Sequence, residues 1–162
     1  MTDFVFFWRN GETSFLSQWK TSPYILDGIC FCSVEQGLMF EKAMMFRDAE
    51  ASADILKTKN PKVIKSIGRK VKNFDEKRWQ EVRENISLRH NLAKFEQNAD
   101  LGLKLLSTGD KILAEASPYD QIWGIGLSEN DPRARNVESW RGENILGKVL
   151  MKTRALLRPT SK

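Results

Sequence analysis

Apolar positions recur along this chain with two different periods, and the switch between them separates strands from helices. Phe4 to Trp8 is a short apolar run of the kind that forms a strand. Residues 24–31 place apolar positions on both sides of Asp27-Gly28, a pair that supplies the positive φ angles of a tight primed turn, so a hairpin is predicted there. Ser33 followed by Gln36 matches a capping box and predicts a helix over 34–47. A short helix follows at 49–58. Asn60-Pro61 opens the next, with Val63, Ile64, Ile67 and Val71 as its apolar face. Asp75 caps the longest helix, 76–97, in which Trp79, Val82, Ile86 and Ala93 keep helical spacing and Leu92 and Phe95 widen the stripe. A helix at 100–107 ends at Thr108-Gly109, where glycine suits a left-handed cap. Residues 112–116 form a strand, and 117–141 have little regular pattern. A last helix spans 143–157, with Ile145, Leu146, Val149, Leu150 and Leu156 facing inward. The pattern is that of an α+β fold, mainly helical with a few short strands.

With 162 residues, 41% hydrophobic and 29% charged, the chain fits one compact domain over 1–162, with a flexible tail from about 158. Such a chain buries roughly 70% of its unfolded surface and needs no disulfide or metal to hold its core. Cys30 and Cys32 would share one face of a strand as small buried hydrophobes. His90 is the sole histidine, so no metal site is expected. The apolar start has no basic region before it, and no apolar run approaches the roughly 20 residues of a membrane span. An intracellular, cytoplasmic protein with no membrane partner is expected. The net charge of +5 is locally dense at 57–62, Lys65, 69–72 and 148–162. This excess suits phosphates or nucleic acid, or else is a basic solvated surface.

Three places could carry chemistry. Glu35 and Lys42 are seven apart, which returns them to within about 20° of one helix face, roughly 10 Å apart along the axis. Met39 and Phe46 share that stripe, so an acid and an amine border an apolar surface. A lysine there loses solvation of its charged form and exposes a nucleophilic amine. Alternatively, Lys42 reaches to solvent and Glu35 only favours the helix N-terminus. The second place is the irregular stretch 115–126, which holds Asp120, Trp123 and Gly124. Trp123 could stack on a base where the adjacent glycine lets backbone approach, or could plug the core. Third, Arg141 and Asn144 stand where the last helix begins and could hold a phosphate, or form an ordinary cap. Gly124-Ile-Gly126 lacks the third glycine of a dinucleotide fingerprint. His90 has no nucleophile motif beside it, which points to a packing or surface role.

Taken in order, Ser33-Val-Glu-Gln with Lys42-Ala43, Asn91-Leu-Ala-Lys-Phe-Glu-Gln-Asn98, Thr108-Gly-Asp110, Glu115 through Gly126 and Trp140 through Lys148 resemble the YbiA-like or NADAR family over nearly the whole chain. The resemblance implies a compact, mostly helical domain with N-glycosidase activity. Its members act on phosphoribosylamino-pyrimidine intermediates of riboflavin synthesis or remove ADP-ribose from guanine bases. The expected partner is thus a small ribosyl N-glycoside bearing phosphate, or ADP-ribosylated guanine in nucleic acid; no cofactor is implied. The family's acid falls on Glu35, its lysine on Lys42, and its loop residues on Asp120, Trp123 and Gly124. Trp140, Gly142 and Asn144 match its Trp-x-Gly-x-Asn segment, and Arg9 follows the aromatic start. Gln36 and Gly37 follow Glu35 where relatives often carry a bulkier, aromatic-containing segment, a departure that bears on pocket shape. By this resemblance Lys42 attacks the ribosyl carbon, and Glu35 or Asp120 transfers protons. Trp123 or Trp140 stacks on the base, and Arg9 with Lys70 or Lys72 meets phosphate. A non-catalytic module binding ADP-ribose or nucleic acid is the alternative.

Overall fold

The computed structural model describes residues 3–160. The last two residues of the expected tail, and the first two of the chain, lie outside the described residues. In chain order the elements are β1 (Phe4–Phe7), β2 (Tyr24–Leu26), β3 (Ile29–Phe31), α1 (Val34–Met45), α2 (Ala49–Leu56), α3 (Pro61–Arg69), α4 (Glu76–Gln97), α5 (Ala99–Ser107), β4 (Ile112–Glu115) and α6 (Ile145–Leu157). The fold is α+β and mainly helical, as the periodicity predicts. Two compact units form, a middle unit from residue 18 to 98 and a terminal unit from the two chain ends. No helix among the described residues is long and apolar enough to cross a membrane.

In the middle unit β2 and β3 pair antiparallel, Tyr24 opposite Phe31 and Leu26 opposite Ile29. Asp27 and Gly28 both take positive φ, 52° and 78°, as the primed turn requires. The outer edge of β2 is closed by a side chain: the Gln97 amide accepts from the Ile25 N–H and donates to its carbonyl, both at 2.7 Å. Such pairing satisfies an edge that would otherwise template aggregation. Cys30 is exposed and only Cys32 is buried, so the expected pair of buried thiols is corrected to one. Cys30 belongs to β3, whereas Cys32 lies past its end, where strand alternation no longer holds.

Helix α1 packs against α2, α3 and α4. Its cap forms on one side as expected, the Ser33 hydroxyl accepting from Gln36 N–H. The return bond is displaced by one residue, for Gln36 Oε1 accepts from Cys32 N–H and its Nε2 donates to the carbonyls of Ile55 and Thr58. The helix stops at Met45, before the expected end, because Arg47 turns to a φ of 58° and Asp48 caps α2 through Ala51 N–H.

The terminal unit pairs β1 with β4 in parallel, Phe4 opposite Ile112 and Phe7 opposite Glu115. α6 packs on β4 with Ile145, Leu146, Val149 and Leu150 buried. Leu156 is exposed, contrary to the inward position expected of it. It lies near the helix end, past the last buried turn formed by Thr153 and Arg154.

Candidate active site

In the middle unit α1 carries Glu35 in its first turn and Lys42 in its last. Glu35 is buried at 7% exposure, where its charge also suits the positive end of the helix dipole. The Lys42 amine lies 4.3 Å from the Phe74 ring centroid and 5.8 Å from that of Trp79. It sits over aromatic faces, half-buried, and does not extend along the surface into water. Partial burial pushes its pKa below the ordinary lysine value; Glu76 and Glu35 pull it back up, and Arg69 adds to the lowering. Such an amine is closer to its neutral, nucleophilic form than one in water.

Helix α4 holds what the hydrophobic pattern missed. Below Trp79 the buried positions are Arg83, Ser87, His90, Asn91 and Lys94 together with the apolar Ala93 and Phe95, while Val82, Ile86 and Leu92 are only half-buried. The expected apolar stripe therefore holds at Trp79, Ala93 and Phe95, and between them it is corrected to a polar one. Lys94 is fully buried, its amine 4.8 Å from the Phe95 ring centroid, and burial with the nearby charge of Lys20 lowers its pKa to about 7. Asn91 donates to the carbonyl and hydroxyl of Ser87, and its own buried Oδ1 accepts nothing. The spacing is visible in the sequence, Arg83, Ser87, Asn91 and Lys94 being in phase with Trp79, but their polar residue types speak for an exposed face.

His90 is wholly buried and bridges two groups, Tyr24 at 2.7 Å from Nδ1 and Glu41 at 2.6 Å from Nε2. Glu41 also accepts from Arg89 at 3.0 Å. Burial raises the Glu41 pKa, but the bonds and charges of His90 and Arg89 outweigh it and hold the carboxyl below its usual range. Burial pushes the Tyr24 phenol well above its ordinary value, aided by Cys32 and Glu41. Gly37 makes this network possible. A Cβ there would lie 2.3 Å from His90 Nδ1 and 2.6 Å from the Tyr24 oxygen. The departure at Gly37 thus accommodates an imidazole.

The terminal unit holds the other expected residues. Asp120 Oδ1 accepts from Ile122 N–H at 2.9 Å and Trp123 N–H at 2.8 Å, which fixes the turn leading into Trp123. Trp123 is half-buried. Gly124 has no room for a side chain, since a Cβ would be 2.8 Å from the Glu115 carbonyl oxygen. Asn144 adopts a left-handed φ of 53° and is 1% exposed. Its Oδ1 accepts from Glu115 N–H at 3.1 Å and its Nδ2 donates to the Leu113 carbonyl at 3.0 Å. The amide is therefore committed to β4 and makes no helix cap. Trp140 donates to the Ala134 carbonyl at 2.7 Å and packs against the cluster around Ala114, Ile125 and Leu127. Arg9 lies 5.0 Å over its neighbour Trp8, whose ring in turn meets Tyr119 at 5.9 Å. Tyr119 is 82% exposed, so this aromatic pair is a second feature that the sequence reading passed over. Among the described residues no group of three or more His, Cys, Asp or Glu could hold a metal ion.

Comparison with known proteins agrees with this architecture. The NADAR domain matches residues 6–158. The chain is similar to an N-glycosidase of Acanthamoeba polyphaga mimivirus, with 42% identity over 124 residues that make up 76% of this chain and 73% of the viral one. It is also similar to N-glycosidase YbiA of Escherichia coli (strain K12), at 29% identity over 147 residues, 91% of this chain and 81% of that protein. The NMR structure of the E. coli protein YbiA matches with a TM-score of 0.79 at 27% identity, covering 97% of this chain and 86% of that one. The class so defined is that of the N-glycosidases, hydrolases that act on N-glycosyl compounds. The chain belongs to the NADAR family.

Proposed function

We propose that this chain cleaves a ribosyl C1–N bond, with ADP-ribosylated guanine or a phosphoribosylamino-pyrimidine as substrate. The observation that carries the reading is the amine of Lys42, held over Phe74 and Trp79 on the helix whose first turn buries Glu35. A pure binding module has no use for a half-buried amine on the same helix as a buried acid.

In the proposed reaction the neutral Lys42 amine adds to C1, and the C1–N bond to the base breaks with both electrons going to the base nitrogen. Glu35 supplies the proton that nitrogen needs. The ring C1–O bond then opens, its oxygen taking a proton, to give an imine between Lys42 and the open sugar. Water adds to the imine carbon and releases the free sugar and the amine. Trp123 is proposed to stack on a base, Asp120, Gly124 and Asn144 to hold the loop that presents it, and Arg9 to meet phosphate. Trp140 supports this unit through its packing.

The test is borohydride added while substrate is consumed. Reduction of the imine leaves a permanent mass increase on the peptide containing Lys42. Consumption of substrate with no adduct at Lys42 would overturn the imine route.

A further inference from the structure

The positive charge of this chain is not spread evenly. Between positions 57 and 72 there are seven Lys and Arg and no Asp or Glu. The whole chain has 26 and 21, so outside this segment 19 cations face 21 carboxylates and the balance is slightly negative. The segment is α3 with its two flanks. Lys62, Lys65 and Arg69 fall within about 60° of one face of α3 and extend over about 10 Å of its axis. Ile64 and Gly68 are buried on the opposite side, Gly68 so tightly that a Cβ would lie 2.1 Å from the Met39 sulfur.

Few of these charges are neutralised. Lys57 pairs with Asp54 at 3.5 Å and Lys72 with Glu50 at 3.9 Å, in pairs whose side chains are about half exposed or more. Exposed pairs of this kind are worth little. Lys59, Lys62, Arg69 and Lys70 are exposed, and none of them is within ion-pair distance of a described carboxylate. Lys65 lies 5.5 Å over the Trp19 ring. The helix that carries this face packs on α1, the helix of Lys42, with Gly68 against Met39.

We propose that α3 and its flanks form a track for the sugar–phosphate backbone of a nucleic acid, leading a strand that carries the scissile N-glycoside towards Lys42. The choice of partner rests on the proposed function, since a nucleobase glycoside within a strand brings its own row of phosphates. A free nucleotide would occupy one or two of these cations and leave the rest of the row without a counter-charge.

The probe is a fluorescent single-stranded oligonucleotide with no modified base, titrated by anisotropy between about 50 and 200 mM salt. With five phosphate contacts the logarithm of the association constant falls with the logarithm of salt concentration at a slope of about −3.5. The double variant Lys59→Gln with Lys62→Gln binds more weakly at low salt, and its slope is shallower by about 1.4. Its turnover of a free nucleoside-sized substrate equals that of the parent. Salt-independent binding, or a slope unchanged in the variant, overturns the track. So does stronger binding to phosphatidylserine vesicles than to the oligonucleotide, or a parallel loss of small-substrate turnover. Because this probe is not cleaved, a failure of the glycosidase reading shows as absent base release while the slope is retained.

Discussion

A lysine over two aromatic rings is subject to opposing effects. The ring faces and the charges of Glu76 and Glu35 favour the ammonium, while loss of water disfavours it, and at Lys42 burial outweighs those two carboxylates and holds the pKa below the ordinary lysine value. Lys42→Ala is expected to reduce turnover at least about 100-fold with the fold retained, which single-turnover assays and circular dichroism together check. The pH dependence has a definite sign. The neutral amine is the nucleophile, its fraction grows as pH rises through its folded pKa, and a lowered pKa places that limb at lower pH. Phe74→Ala opens the amine to water and moves the rising limb of kcat to higher pH. A limb that stays in place, with only the amplitude reduced, would mean that Phe74 acts through packing alone. Trp123→Ala should weaken a base-containing ligand by about 1–3 kcal/mol and leave ribose 5-phosphate almost unchanged. Equal losses in calorimetric titrations of both ligands would assign the ring to the fold instead. Glu35, Lys42 and Trp123 could be singled out from spacing and residue type, because an acid and an amine seven apart must share a helix face. Lys94 could not, since a lysine is read as exposed until its surroundings are known.

At the scale of elements, caps and turns followed local chemistry. Asp27-Gly28, Asp75 and Asn60-Pro61 each act where a sequence reading puts them, and α4 keeps its predicted bounds. The side chains that face inward from α4 were a different matter. A buried Ser, His, Asn and Lys stripe is stable only because Gln18, Tyr24 and Glu41 come from elsewhere in the unit to meet several of its members. Gly37 is the position on α1 that admits this arrangement. Glycine to alanine inside a helix ordinarily stabilises by about 0.5–1 kcal/mol. Gly37→Ala should do the reverse and destabilise by about 1–3 kcal/mol, because its methyl meets His90 and Tyr24. Urea denaturation reports the sign directly, and a stabilised variant would contradict the close approach.

For the molecule as a whole, the buried Lys94 ties folding to pH. Its folded pKa is about 7, against about 10.4 for a lysine in an unfolded chain. Between those values the unfolded chain binds more protons, so this group makes stability rise with pH across that window. Below about 7 both states are protonated and the full penalty of a buried charge is present. Lys94→Met, similar in length and never charged, should therefore raise the melting temperature relative to the parent more at pH 6 than at pH 9.5. A difference that does not change with pH would show that Lys94 carries no buried-charge penalty.

The sequence by itself determined what depends on neighbours along the chain. Hydrogen bonds of caps and turns close within a few residues, and helix faces repeat every few positions, so the helices, the hairpin and the shared face of Glu35 and Lys42 are readable from residue order. Tertiary structure decided what depends on the surroundings of a side chain. It placed rings under Lys42, committed Asn144 to β4 and turned Leu156 outward. It also buried Lys94 and His90 among partners distant in sequence. Solvation and long-range hydrogen bonds set pKa values and roles, and neither is a property of residue order.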